Sequence, residues 1–436
     1  ENEMVATRRG TDTRSPATRA PGTPTKKSPT TQTPVTKAPA GAGLSTLSAA
    51  VNCLNGSVGV GVLGLPYAFR SCGWAALLVV ALVGAATYYT ATVIVKVLVA
   101  ATGKGKRGRN RADLNYDALG QAAFGRPGQL LSGGVQIAEL SLAAVAILCL
   151  LGDNLAQLSG GALDVTRGVL LASGVSYLLC VTRPDLLAYF SLLSLAVVLL
   201  QVVLLLYLGG ASAAAAPVSP LSSTVLSTGV AGTMAAVSKA MFCFGGHSML
   251  PSQYAAMAAP AEAPRMLYLV FGTMLAVNAS IGALGYALYG AEVLPKFVDN
   301  FPPSGLTLFI RGAMAYNLQS TVPLVISAIT SYALPASGGE GSGPSWLYAA
   351  LVKGALLVTF ASTAVCLGDG FDLVVTVGGA SVVSAVSVGL PLAAHLKLYR
   401  AAIGSAELAA NVLLLGAAAL FAAWGTHSGL QEVGLL

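Results

Sequence analysis

Asn55-Gly-Ser-Val-Gly-Val-Gly-Val-Leu-Gly-Leu-Pro66 decides the fold of this chain. The stretch sits within an apolar run of the length that crosses a bilayer, about 20 residues for about 30 Å of hydrocarbon. Four glycines and a proline in such a place interrupt the regular hydrogen bonding of a helix. The expected structure is a helix that unwinds at membrane depth. Irregular backbone is tolerated there only where it is buried in protein or lines a cavity.

A second stretch, Phe242-Cys-Phe-Gly-Gly-His-Ser-Met-Leu-Pro251, has the same character. Pro251 follows Gly246 by five residues just as Pro66 follows Gly61, an offset of 185 between the two motifs. Around them the apolar segments fall near 43–68, 75–101, 128–151, 163–181, 185–209, 224–257, 265–289, 304–333, 344–367, 371–397 and 404–425. The motifs therefore occupy the first and sixth of eleven segments. Matched interruptions so placed imply two five-helix repeats of opposite topology, because an odd number of helices inverts the second repeat. The expected organisation is a tail at 1–42, a first repeat at 43–209, a second at 210–397, and an eleventh helix with the C-terminus at 398–436. The bland alternative is that the glycines only let helices pack closely; the paired Gly and Pro spacing argues against it.

Composition agrees with a membrane bundle. The 436 residues are 55% hydrophobic and 9% charged, against about 25% charged in an ordinary soluble domain, and the mean hydropathy is +0.73. The net charge of +7 sits mostly in 1–42 and 102–127, which points to topology and not to nucleic acid. Residues 1–42 hold six prolines, ten threonines and seven Lys or Arg, too little apolar surface to offset the entropy of ordering. Loop 102–127 carries six more basic residues, among them Lys104, Lys106, Arg107, Arg109 and Arg111, which suit an anionic lipid surface. With the tail in the cytosol, cytosolic segments hold 17 Lys or Arg, and the opposite side holds three, Arg70, Arg167 and Lys296. Positively charged loops stay on the cytosolic side, so the N-terminus is placed there. The six cysteines are scattered, with no spacing that suggests a metal site or a disulfide framework. The Asn-x-Ser sequons at Asn55 and Asn278 fall inside apolar segments and carry no information on compartment.

At a break, freed N–H groups can hold a carboxylate and freed carbonyls can hold an ammonium or a cation. A zwitterionic amino acid satisfies both. The candidate substrate residues are accordingly Asn55, Ser57, Gly59 and Gly61 at the first break, and Phe242, Phe244, Gly246 and His247 at the second. An unperturbed histidine titrates near neutral pH, so His247 is either a proton-sensitive contact or a hydrogen-bonded structural residue. Ionisable residues inside a membrane are functional candidates by default; Glu139 and Lys239 are the clearest two, each with internal pairing as its structural alternative. Arg311 and Lys353, nearer helix ends, read as interface anchors.

Residues Asn55 to Trp74, with Gly-Val-Gly-Val-Leu-Gly-Leu-Pro-Tyr-Ala-Phe and then Cys-Gly-Trp, resemble the first-helix signature of the amino acid/auxin permease family. The resemblance continues through Tyr116-Asp-Ala-Leu-Gly-Gln-Ala-Ala-Phe-Gly125, His247 to Pro260, Gly285-Tyr-Ala-Leu-Tyr-Gly290, Thr321-Val-Pro-Leu-Val325, and Gly389 to Lys397, about residues 43 to 425 in all. It implies an all-α integral membrane protein with the LeuT-type inverted repeat plus one helix. It also implies secondary transport of amino acids, no cofactor, and coupling to H+ or Na+. Asn55 and Thr321 match positions that contribute to the cation site of sodium-coupled relatives, while proton-coupled relatives keep parts of the same pattern. Glu139 and His247 are the candidates for a proton relay. The family points mildly to vacuolar or other endomembranes, with the plasma membrane also open.

Rival functions are weaker. Gly368-Asp369 lacks the first glycine of the intramembrane protease motif Gly-x-Gly-Asp, and neither His-Glu-x-x-His nor Gly-x-Ser-x-Gly occurs, so no enzyme is expected. A channel fits the broken repeat less well than a carrier. A transporter-like amino acid sensor signalling through the tail is the principal alternative. Oligomeric state is not legible in the sequence.

Overall fold

A computed structural model describes residues 43–57, 61–102, 114–182, 186–215, 229–333, 346–368 and 370–432. The expected tail at 1–42, the basic cluster from Lys104 to Arg111, Gly59 and the turn at Arg183 and Pro184 lie outside these. Each of the eleven expected segments carries helix. In chain order the helices are α1 (Thr46–Ser57), α2 (Leu65–Cys72), α3 (Ala75–Ala101), α4 (Asp117–Leu158), α5 (Val165–Thr182), α6 (Leu186–Ala215) and α7 (Val230–Cys243). There follow α8 (Leu250–Ala256), α9 (Ala263–Tyr289), α10 (Gly305–Ala333), α11 (Trp346–Leu367), α12 (Phe371–Gly378), α13 (Leu390–Tyr399) and α14 (Ser405–Glu432). Among the described residues, six stretches of continuous helix are long and apolar enough to cross a bilayer.

The first and sixth segments are split, as their glycines require: α1 and α2 form one, α7 and α8 the other. The third segment starts earlier than hydropathy indicates. An arm at the head of α4 turns back at Gly125, whose φ of +67° only glycine adopts cheaply, with Pro127 just beyond. The arm lies so close to the helix it rejoins that a Cβ on Gly120 would overlap the Gly128 carbonyl. Part of the expected loop 102–127 is therefore helix, too polar for a hydropathy reading to count. The tenth segment also departs from a plain helix. Between α12 and α13 the backbone runs through two π-helical turns, Gly379–Val383 and Ala385–Gly389, and such widened turns recur at functional sites.

Glycines set the distance between helices where the interior is tightest. A Cβ on Gly285 of α9 would come 2.5 Å from Pro66 of α2, and one on Gly282 would overlap the Phe69 ring. Gly152 of α4 and Gly168 of α5 meet backbone to backbone. Lipid tails supply no hydrophobic drive for helix association, so close backbone approach of this kind provides the packing. The bundle centres on α2, α7 and α9, with α3 alongside; α4, α5, α6, α10 and α11 pack as a second group. Last in the chain, α14 leans on α12 and the π turns and turns Leu413, Leu420 and Trp424 outward, as a peripheral lipid-facing helix does.

Candidate substrate and coupling site

Both breaks are built alike. The first leaves through a 3-10 turn, Gly61–Gly64, and enters α2 with Pro66 in its opening turn. The second passes Gly246 at φ +108°, makes a 3-10 turn at His247–Met249, and enters α8 with Pro251 in its opening turn. Proline suits the first turn of a helix because its missing N–H has no intrahelical partner there. Thus the motif that unwinds each span also restarts it.

The breaks touch each other twice. A Cβ on Gly61 would come within 2.9 Å of Cys243 Sγ and 3.1 Å of its Cα, so the first break runs along the end of α7. A Cβ on Gly246 would overlap Ser57 Oγ, so the second break runs along the end of α1. Ser57 is thereby brought to Gly246, and Gly61 to Cys243. Asn55 lies two residues before Ser57 on α1 and is half-buried.

Other candidates point elsewhere. Phe244 is fully buried against α3, its ring tip 3.0 Å from a Cβ built on Gly84, whereas Phe242 is half-buried and faces Gly378 and Gly379. His247 is 0% exposed and directed at α3. Its Nε2 lies 2.9 Å from the Thr87 carbonyl and 3.3 Å from Thr90 Oγ1. Since a carbonyl only accepts, Nε2 carries the hydrogen. Phe271 stacks edge-on against the ring. Thr321 Oγ1 donates to the Asn317 carbonyl one turn below, on a helix that packs chiefly on α4, α6 and α5, while α1 packs chiefly on α9. Glu139, 7% exposed on α4, faces the Gly246 N–H and the Ser248 hydroxyl.

Two fastenings lie on either side of the breaks; the sequence pointed to Lys239, with internal pairing as its structural alternative, but not to its partner nor to the second fastening. On the side of α2 and α7, Lys239 (2% exposed) places Nζ 3.1 Å from Asp372 Oδ2 and donates to Thr376 Oγ1 at 3.1 Å, both on α12. The same ammonium lies 5.2 Å from the ring centre of Tyr67 on α2. On the side of α1 and α8, Leu44 donates its N–H to the Ala256 carbonyl at 2.8 Å and accepts from the Ala258 N–H at 2.9 Å. That isolated bridge is joined by Thr46, whose hydroxyl donates to the Glu262 carboxylate. Arg311 is not an interface anchor; it is buried and paired with Asp299 at 2.7 Å. The Gly378-Gly379 pair was the available signal for the third irregular span.

A multi-pass helical bundle whose two broken helices meet has the LeuT-type fold. The chain belongs to the transmembrane amino acid transporter protein family, which it matches over residues 42–429. It is 26% identical over 410 residues to the amino acid transporter AVT1B of Arabidopsis thaliana, covering 88% of this chain and 70% of that one. It is 24% identical to ANT1 of the same plant, covering 89% and 93%. Among solved structures, the outward-open Na+-coupled sialic acid symporter superposes with a TM-score of 0.55 at 13% identity, over 89% of this chain and 88% of that one. MhsT in complex with L-phenylalanine gives 0.54 at 14% identity, over 87% and 98%. Mhp1, closed on bromovinylhydantoin, gives 0.54 at 11%, over 89% and 91%. At these identities the likeness is one of fold.

Proposed function

We propose that this protein moves neutral amino acids across a membrane by alternating access around the two breaks, drawing on an ion gradient. The observation that carries this reading is the meeting of Ser57 with Gly246 and of Gly61 with Cys243, which puts two sets of unwound backbone around one point. Freed N–H groups at the head of the half-helix that follows Gly61 would take the substrate carboxylate, with Asn55, Ser57 and Gly59 as the further candidate contacts, and freed carbonyls around Phe244 and Gly246 would take its ammonium. Phe242 would border the side chain of the substrate, while Phe244 and His247 would support the break from behind. The repeats would run over 43–209 and 210–397, with 398–436 added, and the N-terminus would be cytosolic, in an endomembrane or the plasma membrane.

Coupling has two sets of candidates: Asn55 and Thr321 for a cation, or Glu139 and His247 for a proton. The two fastenings, Lys239 with Asp372 and Leu44 with Met257, would act as gates that open in turn. Uptake of a labelled neutral amino acid mixture into proteoliposomes tests the reading. Saturable accumulation under an imposed proton or sodium gradient supports it. Flux that never saturates would indicate a channel, and no flux would favour a sensor.

A further inference from the structure

Glu139 is buried midway along α4 with its carboxyl divided between two situations. One side faces the Gly246 N–H and the Ser248 hydroxyl. The other oxygen, Oε2, is buried without a hydrogen-bond partner among the described residues. No ion pair among the described residues includes Glu139. The titratable groups around it are accounted for. Tyr116, at the head of the same helix, is near enough to interact electrostatically and gives its hydroxyl to the Val386 carbonyl in the π stretch. Tyr332 of α10 bonds Gln136, which in turn donates to the Ser248 carbonyl at 3.2 Å. His247 turns its ring to α3, His395 of α13 pairs with Glu407 of α14, and Lys239 of α7 is engaged by Asp372. As an anion, Glu139 would be held by two neutral donors and no cation, a costly arrangement within a membrane and one that a proton resolves.

We propose that Glu139 carries the coupling proton, and that its protonation is felt by the substrate through Gly246, whose N–H faces Glu139 and whose α-carbon abuts Ser57 of the first break. This rests on the transporter reading above. The anion grips the 3-10 turn of the second break through charge-assisted bonds, which weaken when the carboxyl is neutral. A bound amino acid brings a second carboxylate to the breaks, and two carboxylates sharing one water-poor site disfavour each other's ionisation. The site therefore takes substrate best when Glu139 is protonated. Linkage is reciprocal, so substrate binding draws a proton onto Glu139. The proton enters from one compartment, travels on the carboxyl and leaves to the other with the substrate, which is symport.

The test uses the full chain in proteoliposomes loaded with a pH-sensitive dye and offered a labelled neutral amino acid mixture. In the unmodified protein an inward proton gradient drives accumulation, the dye reports proton entry only when amino acid is present, and the apparent KM falls as the medium is acidified. In Glu139→Gln, accumulation and substrate-linked proton entry drop by at least about tenfold, within the usual span of coupling factors. Slower substrate exchange persists, with a KM that no longer follows pH. Ser248→Ala keeps the carboxyl and loses one donor, so it stays coupled and moves the pH midpoint of KM. The dye signal and Ser248→Ala decide the question even where Glu139→Gln fails to fold. Accumulation driven by protons in Glu139→Gln, a pH-independent KM in the unmodified protein, or a KM that rises on acidification would overturn the proposal. Exchange without proton-driven accumulation would overturn it while leaving the transporter reading intact. Absence of exchange in the unmodified protein would remove that reading and the proposal together.

Discussion

Gly246 bears two constraints that no other side chain satisfies together. Its φ of +108° excludes L-residues without strain, and Ser57 occupies the place a Cβ would take. A left-handed conformation alone costs a non-glycine residue about 1–2 kcal/mol. Gly246→Ala is therefore expected to lower the initial rate of uptake by more than about tenfold, since 1.4 kcal/mol is already a factor of ten. Ser57→Gly in the same background removes the overlap but not the strain, so recovery is partial; full recovery would show that the backbone there is not under constraint. Lys239 gives a second residue-scale case. Removing one partner of a buried ion pair typically costs about 3–5 kcal/mol, whereas replacing both by apolar groups is near neutral. Lys239→Met should lower the Tm of the detergent-solubilised protein and Lys239→Met with Asp372→Leu should restore most of it. A Tm unchanged by the single substitution would mean that water already screens the pair. The glycine and proline punctuation was readable because it acts locally. The ion pair was not, because Asp372 becomes the partner of Lys239 only when α7 and α12 pack.

At the scale of elements, the strap ahead of α1 is fastened to the end of α8 by one backbone bridge, and a Cβ on Gly43 would come 2.6 Å from the Ala258 nitrogen. Such a fastening is weak, a few hydrogen bonds each contributing about 1 kcal/mol net, which suits the gate proposed for it. Cysteines at Leu44 and Met257, once oxidised, should stop uptake, and reduction should restore it. Undiminished uptake across the closed disulfide would show that this end does not open. Hydropathy located α3, α9, α11 and α14 well, since each is a single apolar helix. It missed the helical arm at the head of α4, which is polar and turns on Gly125, and it smoothed over the π turns because Gly379–Gly389, with only Ser381, Ser384 and Ser387 among small and apolar residues, carries no charge to interrupt the run.

For the molecule as a whole, the placement of irregular backbone follows one rule: among the described residues, the departures from helix in the first, sixth and tenth segments face other protein. Tyr116 satisfies a carbonyl of the π stretch, and the turn at His247–Met249 packs on that stretch. In hydrocarbon each unsatisfied polar group costs several kcal/mol, so such backbone collects where water or a polar substrate can reach it. That clustering could be anticipated for the first two spans from their matched spacing, whereas the identity of the side chains closing the site depended on the packing of helices far apart in sequence. The most direct measurement of the central claim is exchange in proteoliposomes without any gradient. Vesicles preloaded with unlabelled neutral amino acids should take up labelled ones faster than empty vesicles, because a loaded carrier returns more readily than an empty one. Uptake indifferent to what the vesicles contain, rising linearly with concentration, would contradict alternating access about the two breaks.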